Sequence, residues 1–192
     1  MKYHTFLGLT AALLMAGCSS KSNFYQLHPS KQISHNGSSH LKSQVIGVDE
    51  VHLADYLDKP QIVTRLTSER LRLHEEERWA GALDKNIQSL LTQNLSEALP
   101  GYTFLASPWD EPMEDRYRIY VDVDRFDGDT NGTVVFDGRW SLVDKEKNRL
   151  VTGEKVRYVK HGSATLDGIV TTQSHIVTRL SREIARKIKR WL

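Results

Sequence analysis

The densest run of oxygen ligands in this 192-residue sequence is Asp127–Gly132, DGDTNG, with Asp127, Asp129 and Asn131 at alternate positions and glycine at the sixth. Calcium loops wrap a hard cation with this alternation of oxygens, and their glycine permits the sharp turn. A complete loop also supplies a bidentate glutamate at the twelfth position. Here that position is Gly138, and the flanks alternate like strands, so the hexapeptide reads as a polar hairpin connection. Eight histidines could suggest a metal, yet they are scattered, without i, i+4 pairs or cysteine partners. Glu75, Glu76 and Glu77 beside Arg78 offer carboxylates for acid–base work. Consecutive strand residues point to opposite faces, however, and cannot share a substrate. No G-x-S-x-G, P-loop or glycine-rich dinucleotide fingerprint is present. The expectation is a protein with no catalytic residues, no metal and no cofactor.

The residue with the clearest chemistry is Cys18, the only cysteine. Lys2 precedes an apolar stretch from Phe6 to Met15, and the small residues Ala16 and Gly17 lead into the thiol. Those are the regions of a secretory signal, and the apolar part is too short to span a bilayer as a helix. A cysteine immediately after small residues resembles the lipobox of bacterial lipoproteins, with Met15 where leucine is usual. That resemblance implies that residues 1–17 are removed and that Cys18 becomes an S-diacylglycerol cysteine whose new amino terminus is acylated, as with palmitate. Several chains hold a protein at a bilayer essentially permanently, since each buried methylene contributes about 0.8 kcal/mol. In lipoproteins of this class an aspartate after the cysteine goes with retention in the inner membrane, so the resemblance implies an outer-membrane address for a chain with Ser19 there.

Residues 18–44 read as the lipidated terminus and a polar tether. Eight serines lie between Ser19 and Ser43, a composition that cannot bury enough apolar area to offset ordering. Extended, some 25 residues would reach roughly 80 to 90 Å. Only Phe24–Leu27, FYQL, is too apolar for a linker and is read as a possible edge strand. The folded domain is expected over 45–192. VIGVDEVHL from Val45, IVTRL and LRLHEEERW read as strands. Leu83, Ile87, Leu90, Leu91, Leu95, Ala98 and Leu99 then recur at helical spacing, ended by Pro100 and Gly101. Tyr117, Ile119, Val121 and Val123 alternate with polar residues, as do Val134, Phe136, Trp140 and Leu142, and Asn131-Gly132 between the two runs signals a hairpin. A third strand is expected around Leu150 to Val159. Val177, Leu180, Ile184, Ile188 and Trp191 then share one helical face. The fold class is α/β (α+β): one domain, a mixed or antiparallel sheet packed against two main helices, about 80–99 and 168–191.

The formal charge is only +2, from 26 basic and 24 acidic side chains, so the total carries no footprint for nucleic acid. Cations do gather on the last helix, where Arg179, Arg182, Arg186, Lys187, Lys189 and Arg190 stand against Glu183. Such a face either lies on anionic lipid, meets an acidic partner, or is the solvated side of a core helix; the continuous apolar stripe favours the last.

Together the lipobox, FYQL, VDEVHLADYLDKPQIVTR, RWAGALDKNIQSLLTQNLSEALPG and RFDGDTNGTVVFDGRWSL resemble the PqiC (YmbA) family of ABC-type transport auxiliary lipoproteins. The most specific parts are ADYLDKP, the helix led by Trp79, and the hairpin carrying Phe126, Gly128, Gly138 and Trp140. The resemblance covers nearly the whole chain beyond the leader. It implies an outer-membrane lipoprotein of a Pqi-type intermembrane lipid-transport system that forms a homo-oligomeric ring and docks a periplasmic MCE-domain tunnel protein. Two other readings are kept: a periplasmic lipid carrier holding an acyl chain between helix and sheet, and an assembly chaperone for an outer-membrane β-barrel.

Overall fold

The computed structural model describes residues 21–29, 44–109 and 115–192; Cys18 and the leader lie outside these. Eight strands form one mixed sheet: β1 (Asn23–Tyr25), β2 (Val45–Leu53), β3 (Gln61–Arg65), β4 (Leu71–Trp79), β5 (Thr103–Ala106), β6 (Tyr117–Asp129), β7 (Thr133–Asp144) and β8 (Arg149–His161). Two helices, α1 (Leu83–Ala98) and α2 (Leu166–Trp191), pack on each other and on the sheet. The single α/β domain with two main helices is as the sequence indicates.

The long strand β6 organises the sheet. On one side it runs antiparallel to β7, which in turn runs antiparallel to β8. Its other edge is shared: Tyr117 to Val123 pair in parallel with β2, whereas Gly128 and Asp129 pair with β3. That division interrupts the ladder around Phe126, and a buried backbone group without a partner is costly. The segment Ala54–Pro60, ADYLDKP, bridges the interruption. Ala54 N donates to Val123 O at 2.9 Å, Tyr56 donates its hydroxyl to Asp127 at 2.7 Å, and Leu57 is buried in the core. From the helix layer, Gln173 Nε2 donates to Phe126 O at 3.0 Å. The most specific stretch of the sequence is thus the joint that lets two strands share one edge.

The period-two pattern appears as read. Tyr117, Ile119, Val121 and Val123 are buried, as are Val134, Phe136, Trp140 and Leu142 one strand over. Phe126 meets Phe136 edge-on at 5.3 Å between centroids, and Phe136 meets Tyr158 at 5.8 Å. Two glycines make this packing possible. A side chain at Gly128 would lie 2.7 Å from Ile169 of α2, and one at Gly138 would lie 2.4 Å from the backbone of Asp122 and 3.1 Å from the Phe136 ring. The first lets the helix sit close on the sheet; the second leaves space for the ring.

Several local readings are corrected. Trp79 does not lead the first helix but ends β4, because Gly81 turns the chain at a φ of +142° and α1 starts only at Leu83. The second helix begins at Leu166, where Thr165 caps Gly168 N at 3.1 Å. Trp191 leaves the apolar stripe and is 57% exposed. In the hairpin only Gly132 has a positive φ, and Gly132 N closes a tight turn on Asp129 O at 3.1 Å. The folded body also starts ahead of Val45. FYQL does supply an edge strand, since β1 adds in parallel to β4, and Leu27 is buried.

Candidate docking site

Asp127, first residue of the calcium-like hexapeptide, is fully buried and committed to other partners. Arg65 reaches its two oxygens at 3.0 and 2.9 Å, Arg125 reaches Oδ1 at 3.0 and 3.2 Å, and Tyr56 donates to Oδ2. Asp129 turns instead to the backbone, accepting from Asn131 N and Thr133 N at 2.8 Å each. The two carboxylates therefore serve different tasks, and neither oxygen set converges on a common point. Burial opposes ionisation of Asp127, but the hydrogen bonds from Arg65 and Tyr56 and the charge of Arg125 outweigh it and hold the carboxyl below the usual range.

A depressed carboxyl pKa stabilises the fold at pH values above the unfolded value, near ~3.9, and that contribution disappears as pH falls through the lower folded value. Asp127→Asn should cost about 3 kcal/mol at pH 7, the low end for a broken buried pair because both arginines keep some access to water. In thermal unfolding followed from pH 7 downward, the gap between variant and parent should narrow only below pH ~4. A gap that does not change with pH would mean the carboxylate contributes no charge.

The other candidate groups also have local roles. Glu75 accepts from Gln61 and Glu77 from Asn23, each at 2.9 Å. His52 pairs with Asp122, His74 with Thr64 and His161 with Thr133. His4, His35 and His40 lie outside the described residues. At the far end of the sheet, Asp115 accepts from Arg118 at 2.7 Å and Lys145 at 2.6 Å, with Arg118 stacked 5.2 Å from the Trp109 ring centroid. Among the described residues, no group of three or more potential ligands is placed to hold a metal. No helix there is long and apolar enough to cross a membrane.

The feature left with spare capacity is the groove where the ends of the two helices meet. α1 delivers Ala98 and Leu99; α2 delivers Ala185, with Arg179, Arg182, Arg186 and Lys189 around it, enclosing about 710 Å³. The helices are fixed there by the buried Asn94, whose amide donates to Ser181 at 3.2 Å. One carboxylate, Glu183, faces the four cations. It accepts from the Tyr158 hydroxyl at 2.6 Å and from Arg179 at 3.0 Å, and Arg186 stands 3.9 Å away. Burial works against its charge, but Tyr158 and Arg179 more than compensate and keep it ionised below the ordinary range. Arg182 and Lys189 have no carboxylate within ion-pair distance among the described residues, and both are exposed. An apolar floor with uncompensated guanidinium and ammonium groups at its rim suits an anionic, partly apolar partner surface. Helical spacing revealed the cations; the sequence did not reveal that α1 ends beside them.

A filled α/β body whose free chemistry lies at a cationic helix-end groove has the form of a binding module. The chain belongs to the ABC-type transport auxiliary lipoprotein component family, whose model matches residues 25–185. Among curated relatives, the intermembrane transport lipoprotein PqiC of Escherichia coli (strain K12) is 28% identical over 186 residues, covering 94% of this chain and 95% of its own. The protein of the same name from Shigella flexneri matches equally. Two solved structures share the fold. One, an uncharacterized protein, has a TM-score of 0.72 and 24% identity, covering 88% of this chain and 99% of its own. The other, from Xanthomonas campestris, has a TM-score of 0.66 and 18% identity, covering 85% and 93%. The chain is therefore a lipoprotein of the intermembrane-transport kind.

Proposed function

We propose that the protein is anchored in the outer membrane through acyl groups on Cys18, after loss of residues 1–17. In this reading it acts without catalysis, as a docking subunit of a Pqi-type lipid-transport system. Copies assemble into a ring, and the ring receives the tip of an MCE-domain tunnel protein. Family membership supports the transport setting, and Ser19 behind the cysteine supports export to the outer membrane. The observation that carries the docking role is the cationic groove between Leu99 and Lys189, open to solvent and short of carboxylates. A lipid-carrier role is the weaker reading, because Phe126, Phe136, Trp140, Leu180 and Ile184 already fill the space between helices and sheet.

The test is cross-linking in living cells from a photoreactive residue at position 182, with native mass spectrometry of the purified protein. Adducts with an MCE-domain protein and a defined oligomer are expected. Arg182→Glu combined with Lys189→Glu should reduce partner capture several-fold, since charge reversal at a rim slows encounter. The same change should alter stability by no more than about 0.5 kcal/mol, as both residues are exposed. A monomeric domain that captures no such partner would overturn the proposal. One phospholipid retained per subunit would favour the carrier instead.

A further inference from the structure

We infer that the membrane anchor is a short leash and that the β1 edge of the sheet lies against the lipid surface, with Phe24 touching lipid. This rests on the reading that Cys18 is acylated, and it replaces the long stalk that composition suggests.

The leash is short because the sheet captures the chain early. Asn23, Phe24 and Tyr25 pair with Glu77, Arg78 and Trp79 of β4, more than fifty residues later. Asn23 Nδ2 donates to Glu77 at 2.9 Å, and Ala80 N donates to Tyr25 O at 2.7 Å. Leu27 is 5% exposed inside the core, and His28 N donates to Ser174 of α2 at 3.3 Å. The serine- and histidine-rich residues 30–43 therefore form a connection between two points fixed on the body, Leu27 and β2, and add nothing to the reach of the anchor. Only residues 19–22 lie between Cys18 and β1. Five residue steps span at most about 18 Å, against the 80 to 90 Å of a fully extended tether.

The edge so held has a suitable surface. Phe24 is 66% exposed, the most exposed large apolar side chain among the described residues, and it sits six positions from the acylated thiol. Lys21, also exposed, lies between them and can meet lipid phosphates. An aromatic ring beside a lysine is a common pairing at a bilayer interface. The direction of β1 then fixes which part points away. It is parallel to β4, β4 is antiparallel to β3, and β3 is parallel to β6. The chain leading back to Cys18 therefore leaves toward the Asp129–Thr133 turn. The opposite end of the sheet, with the turn at Lys145–Asn148, faces away from the anchor.

The experiment uses acylated full-length protein extracted from membranes and placed in phosphatidylethanolamine–phosphatidylglycerol vesicles containing a headgroup-nitroxide lipid. Phe24→Cys and Lys21→Cys each add a single labelling thiol, because the native sulfur is blocked; Glu146→Cys serves as the distant control. A fluorophore at 24 or 21 should lose most of its emission to the nitroxide, and one at 146 should lose little. A Gly-Ser insertion of about twenty residues between Ser22 and Asn23 should abolish the loss at 24, and the same insertion placed within residues 30–43 should preserve it. Equal emission at 24 and 146 in protein whose mass confirms acylation would overturn the leash and leave the anchor standing. A bare thiol by intact mass would overturn both.

Discussion

Protein carrying Cys18→Ala, exported behind an ordinary cleavable leader, should be recovered entirely in the aqueous fraction of the envelope. The thioether needs Sγ, and no other side chain in the sequence supplies a thiol. A single myristoyl-length chain binds only marginally, and two or more make the association essentially permanent at about 0.8 kcal/mol per methylene. Losing all of them removes affinity over many orders of magnitude. No apolar helix among the described residues could substitute. Fractionation with intact-mass analysis is the measurement. Variant protein that stays with the membrane in the absence of partners would mean that another feature anchors it. The domain itself should unfold at the parent's denaturant midpoint, since the core described is built from Leu27 onward. That separates loss of address from loss of fold.

The second large effect is expected inside the sheet–helix interface. Trp140 is 2% exposed and shares its face of β7 with Phe136 and Leu142, opposite Val121 of β6. Trp140→Ala should cost about 3–5 kcal/mol, the usual range for truncating a buried aromatic when neighbours cannot close the void. Collapse is hindered here because β7 is held on both sides, by β6 and β8. For a domain with typical total stability of about 5–15 kcal/mol, that is a third or more of the whole. Trp140→Phe should cost much less, because most of the ring volume remains. Urea unfolding distinguishes the two: the midpoints should separate widely with slopes unchanged. Equal midpoints for alanine and phenylalanine would mean that the ring is not what fills this part of the core.

How far the fold could be read beforehand depended on the range of the interactions. Alternation in β6 and β7 and the 3.6-residue spacing of both helices are local, and the residues named from pattern are buried except Ala98 and Trp191, at the helix ends. The body begins earlier than composition suggests because capture of Asn23–Tyr25 depends on a partner strand beginning at Leu71, which no local composition reveals. Strand β5 is only four residues, TFLA, too short to carry a period. ADYLDKP stood out as specific, but its task follows from the split edge of β6 and is invisible without the topology. The docking groove was half legible. Its cations follow the periodicity of α2, whereas Ala98 and Leu99 join them only through the packing of α1, with Asn94 set against Ser181. The hexapeptide is legible as a polar hairpin connection, but the ion pairs of Asp127 are not, because one of the arginines that claim it comes from β3, far away in the sequence.

The unbroken run of α2 from Leu166 to Trp191 has a mechanical consequence. Ser174 accepts from His28 N, just beyond β1, and Lys189 lies at the rim of the groove. At 1.5 Å per residue the interval is about 22 Å of rigid rod. The separation between the point held by His28 and the cationic rim is thus set by helix length and does not depend on residues 30–43. Removing four residues would bring the rim about 6 Å closer to residue 174 and turn it by about 40° about the helix axis, so in the proposed ring an altered subunit would present its rim out of line with its neighbours.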